Sequence, residues 1–196
     1  MYSRKFPKQF ARVLVGVAVC FALAATASAL PINIGDVFAA VFDEDAFTGK
    51  IQHYNSSLVL LETLNTGIEG QTAGMAFDAV GNLYVTAGFL GNGVGTVVKF
   101  KASDGSLVPG TFGSGYSRYP SSILFDASGN AYVGTVRRDV TDGVADQDIR
   151  KFDAIGNPLT HFDVETDEWG SNWIDLAADQ KTMFYTSEGR RIMRYD

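Results

Sequence analysis

A single cysteine, Cys20, stands in a chain of 196 residues. One thiol forms no disulfide framework. Histidine is nearly as scarce, with only His53 and His161. They fall at third- and fourth-strand positions of different repeats, so a two-histidine metal site is not expected. The signatures G-x-S-x-G and H-E-x-x-H, the phosphate loop and the dinucleotide fingerprint are all missing. Gly91 to Gly95 is glycine-rich but leads into a strand, so it is no phosphate cradle. Positive charge is also in short supply, with sixteen Lys and Arg against twenty-two Asp and Glu. That balance opposes nonspecific binding to nucleic acid or an anionic membrane, which needs a basic face. The longest apolar run, Val13 to Ala25, is 13 residues, short of the ~20 that a spanning helix requires.

That run has the anatomy of an export signal. Arg4, Lys5, Lys8 and Arg12 precede it without an acid, and Thr26-Ala27-Ser28-Ala29 closes it with small residues. Residues 1–29 read as a secretory signal peptide of bacterial type, cleaved after Ala29. The mature chain, 30–196, is then secreted or periplasmic, with no membrane span. Val19 before Cys20 departs from the small residue of a lipobox, and Ser3-Arg4-Lys5 lacks paired arginines. Four basic residues leave with the segment. Twelve remain against twenty-two acids, a mature net charge of about −10 with no cysteine.

What is there is a repeat. Gly74-Met75-Ala76-Phe77-Asp78, a turn at Ala79-Val80-Gly81-Asn82, and Leu83 to Ala87 alternate apolar runs with turn residues. Thr96 to Lys101 forms a third run, Asp104-Gly105 marks a hairpin, and Leu107 to Phe112 is a weaker fourth. Pro109 and Gly110 interrupt that fourth run and place it at a sheet edge. The plan recurs at Ser122 to Phe162 and again from Trp173 to Asp196, with a degenerate copy at Val37 to Leu64. Phe77 to Phe125 spans 48 residues and Phe100 to Phe152 spans 52. A period near 50 with four strands per unit predicts an all-β propeller of four-stranded antiparallel blades. The blades fall at about 36–66, 74–113, 121–164 and 173–196, about three and a half in all. The first lacks an inner strand unless Ile32-Asn33-Ile34 supplies it. The last lacks an outer one. This is the pattern of a piece of a longer propeller, and its open blade edges invite self-association.

The pattern G-M-A-F-D-x-x-G-N-L-Y-V, then V-x-K-F, then D-G-x-L-x-x-x-F-G, resembles NHL-repeat propellers. Leu176 to Tyr185 also resembles blades of gluconolactonase-type and streptogramin-lyase-type six-bladed propellers. The likeness covers about residues 36–196. It implies a fold that hosts enzymes, binders and scaffolds alike. A gluconolactonase-type site would imply a divalent metal held in the channel by carboxylates and amides. A streptogramin-lyase-type site would imply a histidine near the channel, and neither His53 nor His161 lies on an inner strand.

On a propeller, the second-to-third-strand loops and the crossings between blades gather on one face, the usual ligand face. Arg118, Tyr119, Trp169 and Asn172 come from the crossings, and Arg137 and Glu188 from the other loops. Asp175 takes the repeat position of Ala76 and Leu124 and is expected to face the channel, where a carboxylate can hold a metal or act as a base. Trp169 beside acids suits a sugar or a cation. Asp139, Asp142, Asp146 and Asp148 form an acid-rich loop, a weak Ca²⁺ pattern without EF-hand spacing. Asp78, Asp126 and Asp153 recur just before turns, which marks them as turn-forming rather than catalytic. The expectation is a binding or scaffold module for a protein, small-molecule or carbohydrate ligand. It carries no catalytic residue and no required cofactor, with Ca²⁺ or another divalent metal as an option. The alternative is a metal-dependent lactonase-type hydrolase or a streptogramin-lyase-like enzyme.

Overall fold

A computed structural model describes residues 29–93, 95–116, 119–136, 149–167 and 169–196. Residues 1–28 of the expected signal peptide 1–29 lie outside the described residues. All regular structure within them is strand, arranged as four consecutive antiparallel sheets. The first holds β1 (Val37–Asp43), β2 (Thr48–Tyr54) and β3 (Leu60–Glu69). The second holds β4 (Gln71–Phe77), β5 (Leu83–Phe89) and β6 (Thr96–Phe100). The third holds β7 (Tyr119–Phe125), β8 (Ala131–Val136), β9 (Ile149–Phe152) and β10 (Pro158–Phe162). The fourth holds β11 (Trp173–Leu176), β12 (Met183–Thr186) and β13 (Ile192–Tyr195). Neighbours in sequence are neighbours in each sheet.

Among the described residues, the third sheet alone has four strands. In the second, the expected fourth strand is reduced to two isolated bridges, Phe100 with Leu107 and Val97 with Phe112. Pro109 between them cannot donate to a ladder, and Gly110 turns the backbone at φ 90°. In the first sheet, Ile32 to Ile34 adds no strand. The Ile32 amide instead donates to the Ala102 carbonyl at 2.9 Å, tying the N-terminal segment to the second sheet.

Alternation along each strand sends successive side chains to opposite neighbours. Leu83 and Val85 join Ile51, Leu64, Val98 and Phe100 between the first and second sheets. Tyr84, between Leu83 and Val85 in sequence, joins Val97, Ile123, Val133 and Phe152 between the second and third. Tyr132, Ile149, Met183, Tyr185 and Met193 fill the gap between the third and fourth. The strands nearest one another come close enough to require glycine. A Cβ at Gly74 would lie 2.7 Å from the Ser121 carbonyl oxygen, and one at Gly134 would lie 2.4 Å from that of Ser171.

The turns that join the first strands of the second and third sheets repeat in atomic detail. Asp78 Oδ1 accepts from the amides of Val80 at 3.1 Å and Asn82 at 2.9 Å, while Oδ2 accepts from Asn82 Nδ2 at 2.7 Å. Asp126 accepts from Ser128, Asn130 and Asn130 Nδ2, each at 2.9 Å. Asp153, in the β9–β10 turn, does the same with Ile155 and Asn157. Each turn places its glycine at positive φ: Gly81 at 86°, Gly129 at 83° and Gly156 at 94°. A lysine completes two of the turns. Lys99 Nζ lies 4.9 Å from the Tyr84 ring centre and 3.7 Å from Asp78. Lys151 Nζ lies 4.6 Å from the Tyr132 ring centre and 3.3 Å from Asp126. Burial pushes both carboxyls up, but the Asn side chains, the turn amides and the lysines outweigh it and hold them below the ordinary value.

Candidate functional site

The loop face carries a pocket of about 250 Å³ lined by Phe89, Leu90, Val136, Trp169 and Glu188. Three sheets contribute. Phe89 ends β5 and Val136 ends β8, so the rigid strands deliver both side chains. Leu90 and Glu188 sit in the β5–β6 and β12–β13 connections with φ of 61° and 54°. Phe47 in the β1–β2 connection has φ 49°. The left-handed residue is therefore a recurrent part of this connection rather than a peculiarity of the pocket. For bulky side chains it costs on the order of 1 kcal/mol each.

Glu188 is held in place. Asn172 Nδ2 donates to its Oε1 at 2.6 Å. Asn172 is itself clamped, its amide donating to the Thr186 carbonyl at 2.8 Å and its carbonyl accepting from Ser121 Oγ at 2.6 Å. Behind the pocket, Tyr119 meets Phe89 edge to face with ring centres 5.3 Å apart. Beside it, Arg191 pairs with Asp167 and, at 3.1 Å, with Glu165. The Arg191 hydrogen bond holds the Asp167 carboxyl below its ordinary value. The pocket thus offers an aromatic and aliphatic wall with one positioned carboxylate. That combination can cover an apolar or sugar-ring face and accept a hydrogen bond from a hydroxyl or ammonium group.

The structure gathers Trp169, Glu188, Asn172 and Tyr119 at this place. Arg118, Arg137 and the acidic loop with Asp139, Asp142, Asp146 and Asp148 lie outside the described residues. Asp175 is elsewhere. Strand side chains point to neighbouring sheets, so its position matches the side of Ala76 and Leu124 that meets the next sheet, not a channel. Ile174 and Leu176 pack back on the third sheet, which leaves Asp175 exposed opposite Phe184, its Oδ1 accepting from the Leu176 amide at 2.9 Å. Among the described residues no three His, Cys, Asp or Glu side chains converge as metal ligands.

Sequence reasoning missed Phe89, Leu90 and Val136. The available clue was Phe89-Leu90, two large apolar residues in the Gly88 to Gly95 stretch, which otherwise holds only glycine, Asn92 and Val94. It also missed the surroundings of His53. That ring is fully buried, stacked on Phe38 with centres 4.4 Å apart. Its Nε2 lies 2.9 Å from Asp36 and its Nδ1 lies 3.0 Å from Glu62. A larger cavity of about 470 Å³ adjoins this end, between the turns of the first two sheets. Its two carboxylates are already committed, Asp36 to His53 and the Asn33 amide, Asp78 to its own turn. The loop-face pocket has the stronger claim as a ligand site.

No family model matches the chain, and no curated protein matches it in sequence. Among solved structures it is similar to a luciferin-regenerating enzyme, with TM-score 0.57 and 15% identity over 83% of this chain and 53% of that one. A streptogramin B lyase gives TM-score 0.54 and 13% identity, over 85% of this chain and 57% of that one. A putative gluconolactonase gives 0.51 and 13%, over 71% and 43%. The chain spans about half the length of these structures. At such identities the likeness establishes architecture alone. The chain has the β-propeller fold, and its described residues form a partial one of four consecutive blades.

Proposed function

We propose that this chain is an exported binding propeller that takes a small molecule or carbohydrate in the loop-face pocket. The observation that supports this most is the convergence on one cavity of Phe89 from the second sheet, Val136 from the third, Glu188 from the fourth and Trp169 from the crossing between the last two. Aromatic faces suit the apolar side of a sugar ring or an organic cation, and Glu188 accepts from its hydroxyl or ammonium group. The test is a thermal-shift and tryptophan-fluorescence screen against monosaccharides, disaccharides and primary amines. A binder whose effect disappears in Trp169→Ala and weakens in Glu188→Gln supports the reading. A binder unaffected by both substitutions places the site elsewhere.

The likeness to a putative gluconolactonase favours a second reading, hydrolysis of a lactone on the same face. Adding a sugar lactone to the panel, with and without Ca²⁺, separates the two. Consumption of the lactone above the uncatalysed rate selects catalysis.

A further inference from the structure

We propose that export cleavage after Ala29 converts the Leu30 nitrogen into a structural cation. The new α-ammonium pairs with Glu62 and completes a charge chain running Leu30, Glu62, His53, Asp36. The Leu30 nitrogen already lies 3.0 Å from Glu62 Oε1. The same oxygen lies 3.0 Å from His53 Nδ1. On the far side of the ring, His53 Nε2 lies 2.9 Å from Asp36 Oδ2. The histidine side chain is 0% exposed, that of Asp36 5% and that of Glu62 16%.

The charges make the argument. Two carboxylates flank one imidazole. The acids outnumber the one ring between them, which leaves negative charge in excess in a poorly hydrated place, where an unpaired charge is costly. Among the described residues no lysine or arginine pairs with either Asp36 or Glu62. An amide N–H at Leu30 supplies one neutral donor. A free amino terminus at the same point supplies a full positive charge and three donors, offsetting one of the two carboxylates. The cleavage balances simply. An export peptidase adds one water across the Ala29–Leu30 peptide bond, leaving a carboxylate on Ala29 and an amine on Leu30 that takes up a proton at neutral pH.

The segment is built to be held there. Ile32 donates to Ala102 at 2.9 Å, so Leu30 is no loose tail. The Leu30 carbonyl rests on Gly105, where a Cβ would come within 2.4 Å of its oxygen. Folding after cleavage therefore seats the new terminus on the first sheet, and the processed chain is the more stable form.

The test uses the full chain, expressed with export, and the product it yields. Mass spectrometry reads the first residue. The rate at which limiting acetic anhydride acetylates the α-amine is then compared for the folded product and the same product in urea. The expected product starts at Leu30, and its amine reacts about tenfold more slowly when folded, the effect of one pK unit of protection. Glu62→Gln abolishes that protection. A product starting at another residue overturns the proposal at the cleavage. A Leu30 amine equally reactive in both states overturns it at the ion pair. Should Glu62→Gln not fold, the folded-to-unfolded comparison on the wild-type product decides alone. Neither outcome bears on ligand binding in the loop-face pocket.

Discussion

His53 pairs with Phe38 across β1 and β2 in the same register in which Lys99 pairs with Tyr84 in the second sheet and Lys151 with Tyr132 in the third. The repeat thus keeps an aromatic ring with a nitrogen-bearing partner that serves an aspartate, and changes the chemistry. In the second and third sheets a half-buried lysine serves an aspartate at the start of the turn. In the first, a buried histidine serves Asp36, which occupies the place of Asn82 at the turn's end. Burial pushes the Asp36 carboxyl up, and the hydrogen bonds from His53 and Asn33 outweigh it and hold it low.

Removing His53 therefore strands two carboxylates. His53→Ala is expected to lower unfolding free energy by about 3 kcal/mol, the lower end of the range for breaking a buried ion pair. Urea denaturation of the purified chain measures it. A loss below about 0.5 kcal/mol, the size of an ordinary surface change, would show that the acids find other partners.

The turn aspartates carry a second expectation. Asp126→Ala removes the acceptor of two backbone amides and of Asn130 Nδ2. It also leaves Lys151 without its carboxylate. A cost of about 1–2 kcal/mol follows from orphaning these donors. Asp126→Asn retains one acceptor oxygen and is expected to recover roughly half of it. Equal losses for the two variants would mean that the charge, not the turn geometry, carries the effect.

Acid should dismantle the same turns. Asp78, Asp126, Asp153 and Asp179, which caps the β11–β12 turn of the fourth sheet through Lys181 and Thr182, all lie below the ordinary 3.8. Asp179 is brought to about 2 by the amides of Thr182 and Lys181. A carboxyl lower in the folded state than in the unfolded one stabilises the fold above its unfolded value. That contribution is lost as pH falls through the folded value. The melting temperature is therefore expected to be level above 3.8 and to fall steadily from there toward about 2. A melting temperature constant across that window would contradict the role given to these turns.

Much of this fold was legible because the repeat is written in local signals. Asp-x-x-Gly-Asn specifies a turn from five consecutive residues, and the strands beside it follow from β-branched and aromatic runs. The weak fourth strand of the second blade was legible through Pro109. The site was legible only in part. Trp169, Asn172 and Glu188 could be expected near one another because crossings and loops of a propeller share a face, and the structure brings them together. Asp175 was misplaced because alternation alone says which residues share a side, not whether that side meets a channel or a neighbouring sheet. His53 hid its partners because Asp36 and Glu62 lie seventeen and nine residues away in sequence. No local pattern links an acid that has moved from one end of a turn to the other.

At the pocket, Glu188→Gln and Asn172→Ala separate charge from position. Asn172 holds Glu188 through a 2.6 Å hydrogen bond without lining the cavity. For an amine ligand, Glu188→Gln is expected to weaken affinity about tenfold, the loss of one charge-assisted hydrogen bond. Asn172→Ala should weaken it less, and by a similar factor for amines and sugars alike. Isothermal titration gives both values. A larger loss for Asn172→Ala than for Glu188→Gln would make Asn172 the contact residue and Glu188 its support.

The last sheet bears on association. Trp173, Phe184 and Ile192 stand on its outer side at 55%, 40% and 76% exposure. The strand register puts all three on one face together with Asp175 and Arg194. Among the described residues nothing packs on that face. In the third sheet the equivalent side carries Leu124 and Tyr132, which a neighbouring sheet covers. An apolar face of this kind gains by burial at roughly 25 cal/mol per Å², and a second molecule is the available cover in a purified sample. Light scattering should therefore show a mass that rises with concentration, and Phe184→Glu should return it to that of one chain. The polar edge formed by Arg194 and Asp175 would stay intact in that variant. A mass that still rises with concentration in Phe184→Glu would place the contact on another surface, the outer side of β1 and β3 being the next to test.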